Sequence, residues 1–300
     1  MTDQSAIEDT RNRLVPNDRT DRFSGLPYRG PFGAPRPAAL GGLALPPAPM
    51  PARLGTRPLK AWRYIGVFGP ELMICVAAVR IGRARQSFWA VWDRADARLH
   101  ERTWLSSGGV RLVPGGAQVT DGPASLSLTF VETAGVESVC HSGNGYGWTR
   151  KQGGIGVSGT LRLGGEAPRA VAGRAIIDDT SAYYERHTRW RWCAGVGSDP
   201  SGRALAWNLV EGVNDPPAGS ERTVWIDGVA RETGPVAIDP GLAHAGALRF
   251  HAEASREHRQ NLLVVRSRYR QPFGTFLGAL PDGTAVSEGF GVMEDHDVWW

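Results

Sequence analysis

The segment His187-Thr188-Arg189-Trp190-Arg191-Trp192 holds the densest chemistry in the chain. Side chains alternate across a strand. His187, Arg189 and Arg191 then share a cationic face, and Thr188, Trp190 and Trp192 an aromatic one. Either the Trp residues are core and the Arg residues solvated, or one face lines a ligand cavity. Downstream, Leu205, Trp207, Leu209, Glu211 and Val213 fall on one face of a second strand. A carboxyl desolvated among such neighbours has a raised pKa and can donate a proton. The alternative for Glu211 is an ion pair with an Arg across the sheet. Asp178 and Asp179 precede Tyr183, Tyr184 and Glu185. This pattern predicts a short helix over 178–185 capped by one of the acids. The other acid can face a pocket bounded by Tyr183, Trp190 and Trp192.

Two further segments carry polar chemistry. Glu294-Asp295-His296-Asp297 has metal-ligand residue types, but adjacent residues on a strand alternate faces and cannot all converge. An orienting pair between His296 and a carboxylate is the reading, with no metal. Tyr146-Gly147-Trp148-Thr149-Arg150-Lys151 follows a Gly-rich turn at His141–Gly145. Trp148 is either a pocket wall or plain core.

These segments need strands to position them, and the composition agrees. Among 300 residues there are 39 Gly and 21 Pro, which argues against long helices, a helical bundle or a coiled coil. Lys occurs only at Lys60 and Lys151, so 32 of the 34 basic residues are Arg. The net charge of +4 is spread among scattered acids without a basic run, which argues against a nucleic-acid partner. Cys75, Cys140 and Cys193 form no CxxC or zinc spacing and read as reduced thiols of a cytoplasmic protein. Residues 1–13 show no secretory leader, and no run is long and apolar enough for a transmembrane helix. No phosphate-binding GxxxxGK[ST], GxGxxG before a helix, GxSxG or HExxH occurs, so no cofactor is expected.

The chain divides by texture. Residues 1–20 are polar and read as loosely attached. Residues 21–58 form a Pro/Gly-rich segment, either a linker or an arm that buries Phe32, Leu43 and Leu45. From residue 59, short alternating runs are punctuated by turns such as Gly115-Gly116, Asp121-Gly122, Asp227-Gly228 and Asp282-Gly283. The expected fold is all-β, an antiparallel barrel or sandwich with two packed halves, 59–177 and 178–300, and few short helices.

In this order, several segments resemble the domain of unknown function 2804 (DUF2804) family. They are Tyr146–Lys151, Asp178 with Tyr183, Thr188–Trp192, Asn208–Asn214, Val224–Gly228, Gln271–Gly278 and Gly291–His296. The resemblance runs from about residue 60 to the end. More distantly, the family is similar to lipocalin-like proteins of the carotenoid 1,2-hydratase and tocopherol cyclase type. That resemblance implies antiparallel barrels around an apolar ligand and acid-catalysed addition or cyclisation.

The candidate acids are therefore Glu211 and Asp178. The candidate ligand contacts are Trp148, Tyr183, His187, Arg189, Trp190, Trp192, Trp207, Asn208, Asn214, Trp225, Glu294 and His296. Arg189 or Asn208 would orient a polar group, and Trp faces would stabilise a developing cation. The expected partner is an apolar small molecule such as a lipid or terpenoid, with transient membrane contact compatible with that ligand. Two other readings stay open: a non-catalytic carrier, and a carbohydrate-binding β-sandwich.

Overall fold

The computed structural model describes residues 23–261 and 265–300. The expectation for residues 1–20 lies outside the described residues. The first sheet contains β1 (Tyr28–Pro31), β4 (Lys60–Phe68), β5 (Leu72–Ile81), β6 (Ala84–Asp93), β7 (Arg98–Trp104), β8 (Val110–Val113), β9 (Gly116–Asp121), β10 (Ala124–Phe130), β11 (Val136–Ser142), β12 (Gly145–Arg162) and β13 (Arg169–Ala182). The second contains β14 (His187–Ser198), β15 (Ala204–Glu211), β16 (Thr223–Ile226), β17 (Val229–Glu232), β18 (His244–Ala245), β19 (Leu248–Asn261), β20 (Arg266–Ala279) and β21 (Ala285–Trp299). A small ribbon pairs β2 (Arg53–Leu54) with β3 (Arg57–Pro58).

The expected all-β, antiparallel fold is what the chain adopts. The first sheet runs β7-β6-β5-β4-β13-β12-β10-β9-β8, with β11 beside the first half of β12 and β1 beyond it. The second runs β17-β16-β15-β14-β21-β20-β19-β18. Among the described strands, the two ends of each sheet are not hydrogen-bonded to one another, so neither sheet is a closed barrel. The first sheet extends to Ala182, and the chain crosses to the second between residues 183 and 186.

Alternation divides the core into layers. On β4, Tyr64 and Phe68 face the second sheet, while Ile65 and Val67 join a separate apolar cluster with Ile74, Val91 and Leu128. On β14 and β15, Trp190, Trp192, Ala206 and Val210 face the first sheet. Cys193, Leu205, Trp207 and Leu209 pack on the opposite side. Each sheet thus has its own core, and a third lies between them. Cys75, Cys140 and Cys193 are buried and unpaired.

The Pro-rich segment is an ordered arm. Its Leu40, Leu45 and Met50 pack on Val139, Tyr146, Trp148 and Tyr183. Arg36 fastens it with two hydrogen bonds, 2.9 and 2.6 Å, to the buried Glu137.

The helix expected over 178–185 does not form, because β13 continues through Ala182. Its two acids are cross-strand partners, not caps. Asp178 lies opposite Lys151, and Asp179 opposite Arg150 on one side and Arg63 on the other. Arg63 holds Asp179 by two bonds of 2.9 and 3.0 Å. Such pairs between facing strands stabilise a sheet, whereas in a helix first turn these acids would meet only backbone donors.

β12 runs on through 18 residues, bent by a bulge between Gly153 and Ile155. At Gly153 the second sheet approaches closely: a Cβ there would lie 2.4 Å from the Trp225 ring. Gly153→Ala is expected to cost about 1–3 kcal/mol, the usual scale for forcing an atom into a packed core. Gly156→Ala, whose Cβ meets nothing within 4 Å, should change stability by no more than ~0.5 kcal/mol. Urea midpoints measure both, and equal effects would refute the packing account.

Candidate functional site

A chamber of about 130 Å³ lies between the sheets. One side is an ion cluster. Lys151 on β12 reaches Asp178 on β13 at 2.6 Å and Glu221, just before β16, at 3.2 Å. Asp178 also accepts from the Trp62 indole at 3.2 Å and Thr180 Oγ1 at 2.8 Å. Asn214 donates to Glu221 at 3.0 Å and to the Tyr184 hydroxyl at 2.8 Å. Burial alone would lower the Lys151 pKa, but the two carboxylates outweigh it and hold the ammonium up. Burial pushes Glu221 upward, with Asp178 adding to the push and Lys151 opposing it.

The other side is aromatic and holds a second, different carboxyl. Trp190 stacks on Trp62, with centroids 6.0 Å apart and planes 9° apart. Trp192 meets Tyr64 edge-on at 5.2 Å. Between them Glu294 points inward from β21, 7% exposed. It accepts from Trp190 Nε1 at 2.8 Å and Gln271 Nε2 at 2.9 Å. Among the described residues it makes no ion pair within 4.0 Å. Its pKa is pushed up to about 7, mainly by burial; the Trp190 N–H pulls the other way, and the Asp178 charge adds to the rise. His296, two residues on, lies 4.3 Å from the Trp190 ring and shares a 2.8 Å hydrogen bond with Ser267. Burial drops its pKa to about 3, so the imidazole is neutral.

The structure brings together Asp178, Trp190, Trp192, Asn214, Glu294 and His296 of the sequence candidates. Asn208 stands behind Trp192, accepting its indole N–H at 2.8 Å. His187 lies outside, at the mouth, stacked on Trp299. Arg189 faces the exterior and pairs with Asp295 at 3.3 Å. Glu211 does not face the chamber. It shares the outer face of β15 with Trp207 and pairs with Arg191, its register partner, at 3.2 Å. Its strand-end position leaves the side chain 38% exposed, so apolar same-face companions do not enclose it. Trp207 belongs to the second sheet's own core, where it meets Phe276. Trp148 and Tyr183 lie under the arm: Trp148 donates to Glu137 at 2.9 Å, and Tyr183 to the Pro51 carbonyl at 2.7 Å. Trp225 is inter-sheet core, covering Gly153. The partner of His296 is Ser267 and not a carboxylate, because Asp295 and Asp297 point to the opposite face.

Sequence reasoning missed Glu221, Lys151, Trp62 and Tyr184. Two signals were available. Strand parity from Asp178 through Thr180 reaches Tyr184, not Tyr183. Both lysines of an otherwise Arg-only chain are buried beside the chamber or its mouth. No group of three or more His, Cys, Asp or Glu able to hold a metal occurs among the described residues. No helix among them is long and apolar enough to cross a membrane.

The two perturbed groups pull pH stability in opposite directions. Glu294 rises from 4.5 to about 7, so its stabilisation is full below 4.5 and lost as pH climbs through 7. His296 falls from 6.5 to about 3, so its contribution is full above 6.5 and lost as pH falls toward 3. Between these limits the slopes offset each other. Glu294→Gln removes one slope. From pH 5 to 7 its stability should therefore gain roughly 2 kcal/mol relative to the parent protein, at about 1.4 kcal/mol per displaced pKa unit. Denaturant titrations at the two pH values test this, and a pH-independent difference would show that Glu294 is not perturbed.

Comparison with solved structures finds low-identity similarities over most of the chain. A candidate AttH of Nitrosomonas europaea is 15% identical, with TM-score 0.40, covering 80% of this chain and 92% of that one. Kievitone hydratase of Nectria haematococca is 9% identical, with TM-score 0.46, covering 79% and 88%. CghA is 11% identical, with TM-score 0.37, covering 80% and 88%. Comparison with curated proteins finds no match. The family resemblance expected from about residue 60 is found over residues 131–300, which carry Lys151, Asp178, Trp190, Glu221 and Glu294. That match spans more than half of the chain, which belongs to the family described as Domain of unknown function (DUF2804).

Proposed function

We propose that the protein binds a small apolar molecule between its two sheets and protonates it by cofactor-independent acid catalysis, with Glu294 as donor. One observation carries the reading. Glu294 is a carboxyl buried in an aromatic chamber, outside any ion pair, with a pKa near neutrality. Such a group is protonated in a useful fraction at neutral pH and strong enough to give the proton away.

The surrounding chemistry fits that role. Each Glu294 oxygen accepts one N–H and keeps a second lone-pair position for the proton. After transfer, the same two N–H groups stabilise the carboxylate. A proton delivered to an alkene carbon leaves a cation on its neighbour. The faces of Trp62, Trp190 and Trp192 lie around the chamber to stabilise it. Water capture followed by proton loss gives hydration, and loss of an adjacent proton gives isomerisation; attack by an internal double bond closes a ring and moves the cation, which loses a proton or captures water. In each case the released proton returns to the Glu294 carboxylate. Neutral His296 adds no positive charge, and burial outweighs the lowering pull of the Tyr269 hydroxyl and of Arg256 on the donor.

The carrier reading also has an observation in its favour. The acids nominated from sequence are engaged elsewhere, Asp178 with Lys151 and Glu211 with Arg191. Deuterium incorporation separates the two. The protein is incubated in heavy water with a panel of isoprenoid alkenes and allylic alcohols. The acid reading expects uptake into product, with kcat/KM falling tenfold per pH unit above about 7. Glu294→Gln should lower kcat by about 10²–10⁴, the usual worth of a general acid. Glu211→Gln should stay within about twofold, because surface changes remote from the chemistry rarely matter. Binding without uptake across the panel would establish a carrier.

A further inference from the structure

The inner chamber adjoins a larger recess of about 880 Å³, with Val79, Ile81, Tyr184, Val265 and Trp300 among their common walls. The two differ in charge. In the recess stand Arg53, Arg57, Lys60, Arg85 and Arg186, against one carboxylate, Glu185. Glu185 is taken by Arg57 at 3.5 Å. His187, also at the wall, is bonded to Asp297 at 2.8 Å. Lys60, Arg53 and Arg85 have no Asp or Glu within ion-pair distance among the described residues, whereas Arg186 donates to the main-chain oxygen of Trp300.

Lys60 is the telling member. It is 1% exposed, yet among the described residues its ammonium meets only the Tyr184 carbonyl, at 2.8 Å, and the Trp300 ring, 5.3 Å from its centroid. A buried charge is normally paired. The other lysine obeys that rule, with two carboxylates on Lys151. Arg256 and Arg63 are matched in the same way, with Glu101 and Asp179, and buried Arg222, which has no carboxylate within ion-pair distance among the described residues, donates instead to three backbone carbonyls. Around Lys60 the nearby charges are instead Arg57 and Arg186, which join burial in lowering its pKa to about 8. An ammonium with two unused N–H donors, at the border between an apolar chamber and a cationic recess, is suited to an oxyanion.

We propose that the ligand is an amphipathic oxyanion, its apolar body in the chamber beside Glu294 and its carboxylate or phosphate head on Lys60, within the field of Arg53 and Arg85. This rests on the acid-catalysis reading only for the chamber's occupant, and it deepens that reading by naming the class of molecule. The head group would fix which carbon of the chain reaches the donor.

The test is equilibrium binding followed by tryptophan fluorescence with three probes of one chain length: decanoate, decyl phosphate and decanol. At least one anion should bind about tenfold or more tightly than the alcohol, the scale of a hydrogen bond to a charged group. The preferred anion identifies carboxylate or phosphate as the head. Lys60→Met should bring the anion down to the alcohol while leaving decanol unchanged. Glu294→Gln should preserve the preference, so this proposal and the donor assignment fail separately. Arg53→Gln/Arg85→Gln, at exposed positions, should reduce the preference several-fold and covers the case in which Lys60→Met does not fold. Decanol binding as tightly as both anions to the parent protein would overturn the proposal. Binding of none of the three would overturn the apolar-ligand reading beneath it.

Discussion

The buried ion cluster on Lys151 is the constraint around which the site is arranged. Removing one ammonium from water costs several kcal/mol, and a single partner rarely offsets that. Lys151 has two, one on the neighbouring strand and one from the segment before β16. That segment must therefore come down onto the first sheet, and Asn214, with its φ of 50°, turns so that it can bond Glu221 and Tyr184 together. The cluster thereby couples the two sheets through polar contacts as well as apolar packing. It holds two carboxyls against one cation, and the Asp178 charge adds to the burial that raises Glu294. The proposed acid chemistry depends on this arrangement.

Alternation explains how one set of strands serves both core and site. Along β21, Glu294 and His296 face the chamber while Asp295 and Asp297 face out to Arg191, Arg189 and His187. Along β14 the Trp residues face in and the Arg residues out. A shift of one residue in register would exchange the two sets. The outer ion pairs thus penalise the wrong register, although individually they are worth little at an exposed surface.

Much of this was legible before any coordinates. The faces of 187–192 and the inability of Glu294–Asp297 to converge follow from a period of two, and the turns from their Asp-Gly and Gly-Gly pairs. What failed, failed for nonlocal reasons. Asp178 and Asp179 read locally as caps, since sequence does not show that Lys151 and Arg63 will stand opposite them. Glu211 has apolar companions in its own strand, but desolvation is set by what covers the end of that strand, and there Arg191 covers it. Glu221 lies in an irregular stretch where no periodicity applies. Trp148, Tyr183 and Trp207 are large aromatics whose role as core depends on the arm or on the second sheet's outer layer. Neither layer can be inferred from the segments that contain them.

The distribution of lysine and arginine has a physical reading as well. A guanidinium is broad, planar and permanently charged, suited to forked contacts at a sheet surface, as where Arg36 holds Glu137 through Nε and Nη2 and Arg63 spans Asp179 and Glu132 through Nη1 and Nη2. An ammonium is a compact charge that fits between closely spaced strands and responds to its surroundings. At Lys151 it fits between two carboxylates, where the fork of an Arg would displace one of them. At Lys60 it fits between a backbone carbonyl and an indole face. The residue type that is rare in this chain is therefore used where space is small and the charge is buried. Lys151 stands in the chamber with the buried Arg256, and Lys60 at its mouth, so the two lysines bracket the region that the proposed function uses.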